Sequence, residues 1–230
     1  MFRQNVIEIA IDSEFSAAYK FYKPNYSAKF LPEWYKNIPH HFISKNKYNV
    51  EFPSSTIKAC PAIKKNLTNG IIFPLWTDIV INIDPERRWA YQVADGLTTI
   101  QQHDNEQFYG FASNHINLKL VNPWKLKSSE NKMFYLTNTF YHTVDTNFKV
   151  SPGLIEFYYQ NDLNINLFFP IKPNVYTVKL NAGQPIIQLI DTTNKISKIK
   201  HSLYSSEEMK KKFLLKPRTT FLNVYKSMMG

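Results

Sequence analysis

A single cysteine in 230 residues, Cys60, excludes an intramolecular disulfide and a cysteine-based zinc ribbon. Cys60 is followed by Pro61 and has no recognisable catalytic partner, so it reads as a small buried-type residue. Six glycines leave little material for loops that cradle phosphate, and neither G-x-x-x-x-G-K, G-x-G-x-x-G nor G-x-S-x-G occurs. With only four arginines (Arg3, Arg87, Arg88 and Arg218), bidentate reading of guanine edges is not the expected activity. No run of 18 apolar residues is present, so no membrane-spanning helix is expected. Residues 1–11 carry Arg3 and Glu8 without a long apolar stretch, and do not read as a signal peptide.

What is present suits a folded chain. Hydrophobic residues at 43% and aromatics at 15% supply enough apolar surface for a core, and the length allows one domain over 1–230. The net charge of +10 comes almost wholly from lysine, which arrives with abundant asparagine and isoleucine, as A/T-rich coding would produce. Basicity nevertheless confers affinity for polyanions whatever their sequence.

The hydrophobic pattern predicts a mainly β fold, a sandwich, jelly roll or barrel, with short N-terminal helices and a helical C-terminus. Val6, Ile7, Ile9 and Ile11 suggest a first strand. Pro32 suits the first turn of a short helix that turns Trp34 and Tyr35 inward. A second helix is expected from Pro61, ending before Gly70. The β core is placed at about 71–191. Ile79, Ile81 and Ile83 alternate with Val80 and Asn82, and Asp84-Pro85-Glu86 turns into Trp89, which is the grammar of a hairpin. Further strands are expected at 116–121, 133–137, 163–169, 175–180 and 185–190. Ile116, Leu118 and Leu120 share one face, Asn117 and Lys119 the other. A helical segment is placed at about 202–229. Ser205 and Glu208 form its capping box, and Phe221, Leu222, Tyr225 and Met229 make a second apolar stripe after Pro217.

Candidate sites are few. The polar group His103, Glu106 and Gln107 could line a ligand pocket if it lies on a loop at a sheet edge, which the turn-favouring Asp104-Asn105 suggests. His103 and Gln107 could equally satisfy buried backbone groups. Phe157, Tyr158 and Tyr159 could stack on a base or sugar, although strand alternation buries at least one of them. Trp34, Trp76 and Trp124 read as core anchors. Six histidines (His40, His41, His103, His115, His142 and His201) lack the His-x-His and His-x-Asp spacings of cupin and facial-triad iron sites, so neither metal nor other cofactor is expected. A basic patch of Lys198, Lys200, Lys210, Lys211 and Lys212 is either a solvated face or a nonspecific nucleic-acid surface.

Two resemblances can be traced. Pro152-Gly153-Leu154-Ile155-Glu156, the strand at 163–169 and Gly183-Gln184-Pro185-Ile186-Ile187-Gln188-Leu189-Ile190 resemble the core of the dUTPase and dCTP deaminase superfamily. There a G-[VI]-I-D turn precedes a strand and then G-x-x-I-[AG]-Q-L. The resemblance implies a β-fold with a tight turn at Gly183. It places the family's water-activating carboxylate at Glu156 and its sugar-stacking aromatic near Tyr159. Glu156 is one methylene longer than the family's aspartate, and misplacing a reacting group by about 1 Å costs about 100-fold in rate. The Arg-Ser phosphate motif and glycine-rich arm of that superfamily are missing.

Over a larger part of the chain, the blocks Phe30-Leu31-Pro32-Glu33-Trp34-Tyr35, Ile57-Lys58-Ala59-Cys60-Pro61, Gly70-Ile71-Ile72-Phe73-Pro74-Leu75, His103-Asp104-Asn105-Glu106-Gln107 and Val121-Asn122-Pro123-Trp124-Lys125-Leu126 are similar to a family of bacteriophages and bacteria with no activity attached. Ser128-Ser129-Glu130-Asn131 stands where that family tends to carry proline-glycine. This similarity implies a phage origin, and so a host cytoplasm or a virion as the place of action. Together these features favour a non-enzymatic β-domain that binds a protein partner, self-associates or joins an assembly. Nucleotide binding at Glu156 and Tyr159, and nonspecific nucleic-acid binding through the basic patch, are the alternatives. No membrane partner is expected.

Overall fold

In a computed structural model the residues described are 5–108, 111, 113–142, 147–158, 160–193 and 197–213. In chain order the elements are β1 (Val6–Asp12), α1 (Ser16–Phe21), β2 (Asn25–Tyr26), α2 (Glu33–Asn37), β3 (His41–Lys45), β4 (Glu51–Ser55), α3 (Pro61–Thr68) and β5 (Ile71–Pro74). Next come β6 (Ile79–Ile83), β7 (Trp89–Val93), β8 (Ile100–Gln102), β9 (His115–Leu120), β10 (Lys125–Ser128), β11 (Met133–Asn138) and β12 (Lys149–Val150). The chain continues through β13 (Gly153–Glu156), β14 (Ile165–Pro170), β15 (Tyr176–Leu180), β16 (Pro185–Asp191), β17 (Lys198–Tyr204) and α4 (Ser206–Phe213). The fold is mainly β, as the alternating pattern predicts.

Four sheets wrap one continuous apolar cluster in a sandwich-like arrangement. Their strand orders are β10-β1-β17, β13-β11-β16-β5-β2, β12-β14-β9-β8 and β15-β6-β7. Trp124, Phe73, Phe134, Phe157 and Phe169 are the bulkiest wholly buried side chains. Each contributes about 1.5–3 kcal/mol or more by leaving water. On β1 the inward set Ile7, Ile9 and Ile11 joins this cluster, while Ala10 on the other face is small enough to admit Met209 and Phe213 of α4. That second contact makes β1 buried on both sides.

Sequence and structure agree closely at several elements. β6 and β7 form the expected hairpin, Ile83 opposite Trp89, with Arg87 in the left-handed region at φ 64°. Ile116, Leu118 and Leu120 are buried together on β9. Ser205 and Glu208 make the capping box: the Ser205 N–H donates to Glu208 Oε2 at 2.9 Å and the Glu208 N–H reaches Ser205 Oγ at 3.4 Å. Gly70, at φ 84°, ends the α3 connection where a Cβ would stand 2.2 Å from the Leu189 carbonyl oxygen. Gly183, at φ 82°, occupies the third position of a tight turn closed by Gln184 N–H to the Asn181 carbonyl at 3.0 Å.

Several expectations need correction. Trp34 is partly exposed, not a core anchor, because its indole N–H must reach the Tyr141 carbonyl at 2.8 Å; Tyr35, Trp76 and Trp124 are buried. Residues 153–156, read as a turn, form an extended strand paired with β11. The ribbon β3–β4 and the strand β17 were not anticipated. The second C-terminal stripe, 221–229, lies outside the described residues. No helix among the described residues is long and apolar enough to cross a membrane.

Candidate functional site

His103 follows β8, and its N–H donates to the Asn117 carbonyl at 3.1 Å, extending the β8–β9 ladder. The chain then makes a single turn of 3-10 helix, Asn105–Phe108, which brings Gln107 back over His103. His103 Nδ1 lies 2.5 Å from Gln107 Oε1, and its Nε2 lies 3.1 Å from Asn166 Oδ1 on β14. Phe108 meets the ring edge-on, with centroids 5.7 Å apart. A neutral imidazole donates through one nitrogen and accepts through the other, so one of the two amides turns its NH2 toward the ring. Both nitrogens are therefore occupied within the protein, and His103 serves as a fastener between the turn and β14.

Of the other members of the anticipated pocket, Glu156 stands apart from this turn. Glu106, in the same turn, is exposed and has no ion pair among the described residues. Glu156 sits on β13 opposite Met133, in a different sheet from β8 and β14. Tyr159 lies outside the described residues; of its neighbours Phe157 is wholly buried and Tyr158 is exposed. Beside His103, the Asn117 side-chain amide is buried with neither atom hydrogen-bonded.

A cavity of about 340 Å³ lies elsewhere. Ile71, Phe134 and Leu189 provide apolar walls, while Tyr26, Asp191 and Ser197 supply polar groups. Asp191 is buried and accepts from Lys132 Nζ at 3.0 Å and from the Thr193 N–H and hydroxyl at 2.8 and 2.6 Å. Burial pushes its carboxyl up, but the Thr193 bonds and the Lys132 charge outweigh that and hold it below the usual range. Lys132 is buried as well, so the pair forms an internal ion bridge. The lining runs from residue 26 to residue 197, a spread that no local motif betrays.

The basic patch is partly neutralised by carboxylates. Lys200 and Lys212 each approach Glu8 at 3.4 Å, and Lys211 pairs with Glu207 at 2.7 Å. Glu8 also accepts from the Ser202 hydroxyl at 2.6 Å and the Tyr204 hydroxyl at 2.7 Å. Burial raises the Glu8 carboxyl, but these bonds and the two lysines prevail and bring it down to about 2. Lys198 and Lys210 have no ion pair among the described residues.

The histidines do not gather. Burial lowers His115, His142 and His201, with Lys149 adding to the effect at His115. His201 Nε2–H donates to the Pro24 carbonyl at 2.7 Å. Among the described residues no three His, Cys, Asp or Glu side chains stand close enough to hold a metal ion.

The feature that the sequence did not announce is the β3–β4 ribbon, a two-stranded sheet that pairs with no other strand among the described residues. Its tip is tied by Asn46, whose side-chain oxygen accepts from the N–H groups of Tyr48 and Val50 at 2.9 and 3.1 Å, with Asn49 at φ 64°. Its base is pinned by the Thr56 N–H donating to the His40 carbonyl at 3.0 Å and by Lys58 Nζ donating to the Lys36 and Ile38 carbonyls. Along its strands and at its tip the ribbon leaves large apolar side chains in water: Ile43 is 64% exposed, Tyr48 73%, Val50 57% and Phe42 49%. A local concentration of this kind marks an interaction surface more often than scattered exposed residues do. Neither a known protein family nor a curated protein matches this chain.

Proposed function

We propose that the protein is a non-enzymatic β-domain that works by binding protein, as part of an assembly, and that the β3–β4 ribbon is its contact element. The supporting observation is the ribbon itself, which carries Phe42, Ile43, Tyr48, Val50 and Phe52 exposed on an arm clear of the core. A two-stranded hairpin is marginal in water by itself, and a third or fourth strand with an apolar face makes it stable. Of the anticipated site residues, His103 is engaged by two side-chain amides and Glu156 stands on another sheet. The proposed setting is a virion or an infected host cell, the expectation that the phage-like sequence blocks raise.

The test is photo-crosslinking of the full chain in its expression host, with the crosslinker at position 43 and a control at exposed Leu97. The expected result is protein adducts from position 43 and none from position 97. Equal yields from the two positions, or none from position 43, would overturn the proposal, as would turnover of small metabolites by the purified protein.

A further inference from the structure

The two long edges of the ribbon differ. The Asn46 N–H to Val50 carbonyl bond and the Thr56 N–H to His40 carbonyl bond fix residues 46:50 and 40:56 as hydrogen-bonded pairs. Because antiparallel ladders alternate, 42:54 and 44:52 are hydrogen-bonded pairs too. His41, Ile43 and Lys45 therefore direct their backbone N–H and C=O groups away from β4, into water. On the opposite edge the corresponding positions are Glu51, Pro53 and Ser55, and Pro53 has no N–H to offer. One edge is an intact template for another strand, and the other is blocked at its centre.

We infer that a second copy of this chain pairs with the open edge, β3 against β3 in antiparallel fashion about a two-fold axis at Ile43, making a four-stranded sheet β4-β3-β3-β4. This inference rests on the ribbon being the contact element. The centring on Ile43 follows from counting bonds. It sets Ile43 opposite Ile43 and each His41 opposite the Lys45 of the other copy, so all three outward residues on each side are used and six hydrogen bonds form. A shift of one residue, centred on Phe42, keeps the two His41 to Ile43 pairs and brings Pro39, which lacks an N–H, opposite Lys45.

Side chains on both faces match under this registry. One row reads Pro53, Ile43, then Ile43 and Pro53 of the second copy, an unbroken apolar strip across four strands. The row on the other face reads Phe52, Ser44, then Phe42 and Ser54 of the second copy, so a small residue sits between two phenylalanines and lets the rings close over it. Lys45 already has its counter-charge in Glu51 at 3.3 Å, so the approach of His41 from the other copy meets a neutralised pair. The blocked Pro53 edge then stops growth at two copies, which gives a closed pair instead of a fibre.

The experiment is sedimentation of the full chain over a wide concentration range, with two variants. Ile43→Pro removes an outward N–H and no bond within the ribbon. It should weaken self-association by about 10- to 100-fold, since two of the six bonds are lost at the centre, while circular dichroism and thermal midpoint stay as in the parent. Pro53→Val restores the missing N–H and should turn pairs into longer oligomers. A parent protein that is monomeric at every concentration, or an Ile43→Pro variant that associates as tightly as the parent, would overturn the inference. In the crosslinking test, adducts from position 43 to a different protein alone would also overturn it while leaving the ribbon as a binding element; absence of any adduct would overturn both.

Discussion

Glu8 is the place to break the link between the first strand, the last strand and α4. Its carboxylate gathers two hydroxyls and two ammonium groups from β17 and α4, and its pKa of about 2 measures how strongly they favour the charged form over the ordinary 4.5. At about 1.4 kcal/mol per pKa unit, that lowering corresponds to at most about 3.4 kcal/mol of folding stability. Lys200 is more than half exposed and Lys212 more than a third, so solvent screening reduces their share and about 2 kcal/mol is expected.

A carboxyl whose pKa is lower in the folded than in the unfolded chain stabilises above its unfolded pKa and loses that contribution as pH falls toward its folded pKa. The Glu8 contribution should thus be complete above about pH 5.5 and fall by more than half by pH 3. Glu8→Gln keeps the shape and the ability to accept hydroxyl bonds, but removes the charge. Urea denaturation of parent and variant should show a gap of about 2 kcal/mol at pH 7 that narrows steadily between pH 5 and pH 3. A gap that is constant across this range would refute the electrostatic account, because shape and packing do not titrate there.

Three further experiments test other parts of the frame. Gly70→Ala should cost more than about 2 kcal/mol, since a positive φ and a Cβ pressed on the Leu189 carbonyl act together, whereas Gly183→Ala, which meets only the edge of Tyr22 at 3.4 Å, should cost about 1 kcal/mol; equal losses in thermal denaturation would deny the steric distinction. Lys132→Met leaves the buried Asp191 charge uncompensated and should cost about 3 kcal/mol, most of which the double variant Lys132→Met with Asp191→Asn should restore; additive losses in a double-mutant cycle would show that the two groups are not coupled. Asn117→Leu removes a buried amide with no hydrogen bond and should raise stability by about 1 kcal/mol; a fall of that size would reveal a polar partner for Asn117.

Among the strands that were legible in the sequence, some have one face toward the core and one toward water, while β14 and β16 are largely buried on both faces. β6 and β15 are of the first kind, so Ile81 and Val178 stand out against Asn82 and Lys179. β17 was hidden because Lys198 and Lys200 project from it toward Glu8 and solvent, and a lysine-rich stretch ahead of a helix reads as a solvated lead-in. β3 and β4 were hidden for the opposite reason: neither face meets the core, no alternation is imposed, and Pro39 and Pro53 argue against strands unless the edges are considered one by one. At the anticipated site, His103 and Gln107 do meet, because the turn at Asp104-Asn105 was readable locally. The distance of Glu156 from them was not, since it depends on which sheet each strand joins. The Gly183 motif identified a turn and a strand correctly, and Gln188 spends its amide on the Asn66 and Asn69 carbonyls at 2.7 Å, holding the end of α3 to β16.

The parallel pairing of β1 with β17 also governs when this molecule can fold. Val6 faces Lys198 and Asp12 faces Tyr204, so the first strand completes its sheet only with residues made about 190 positions later. On a ribosome, β1 must wait with Ile7, Ile9 and Ile11 uncovered on one flank until residue 204 has emerged. Contacts of such long range slow folding and prolong exposure of sticky strands. A chain cut short before Lys198 would retain every other strand of the core yet leave β1 with a bare edge, which makes premature termination a route to aggregation for this protein and not merely to a shorter one.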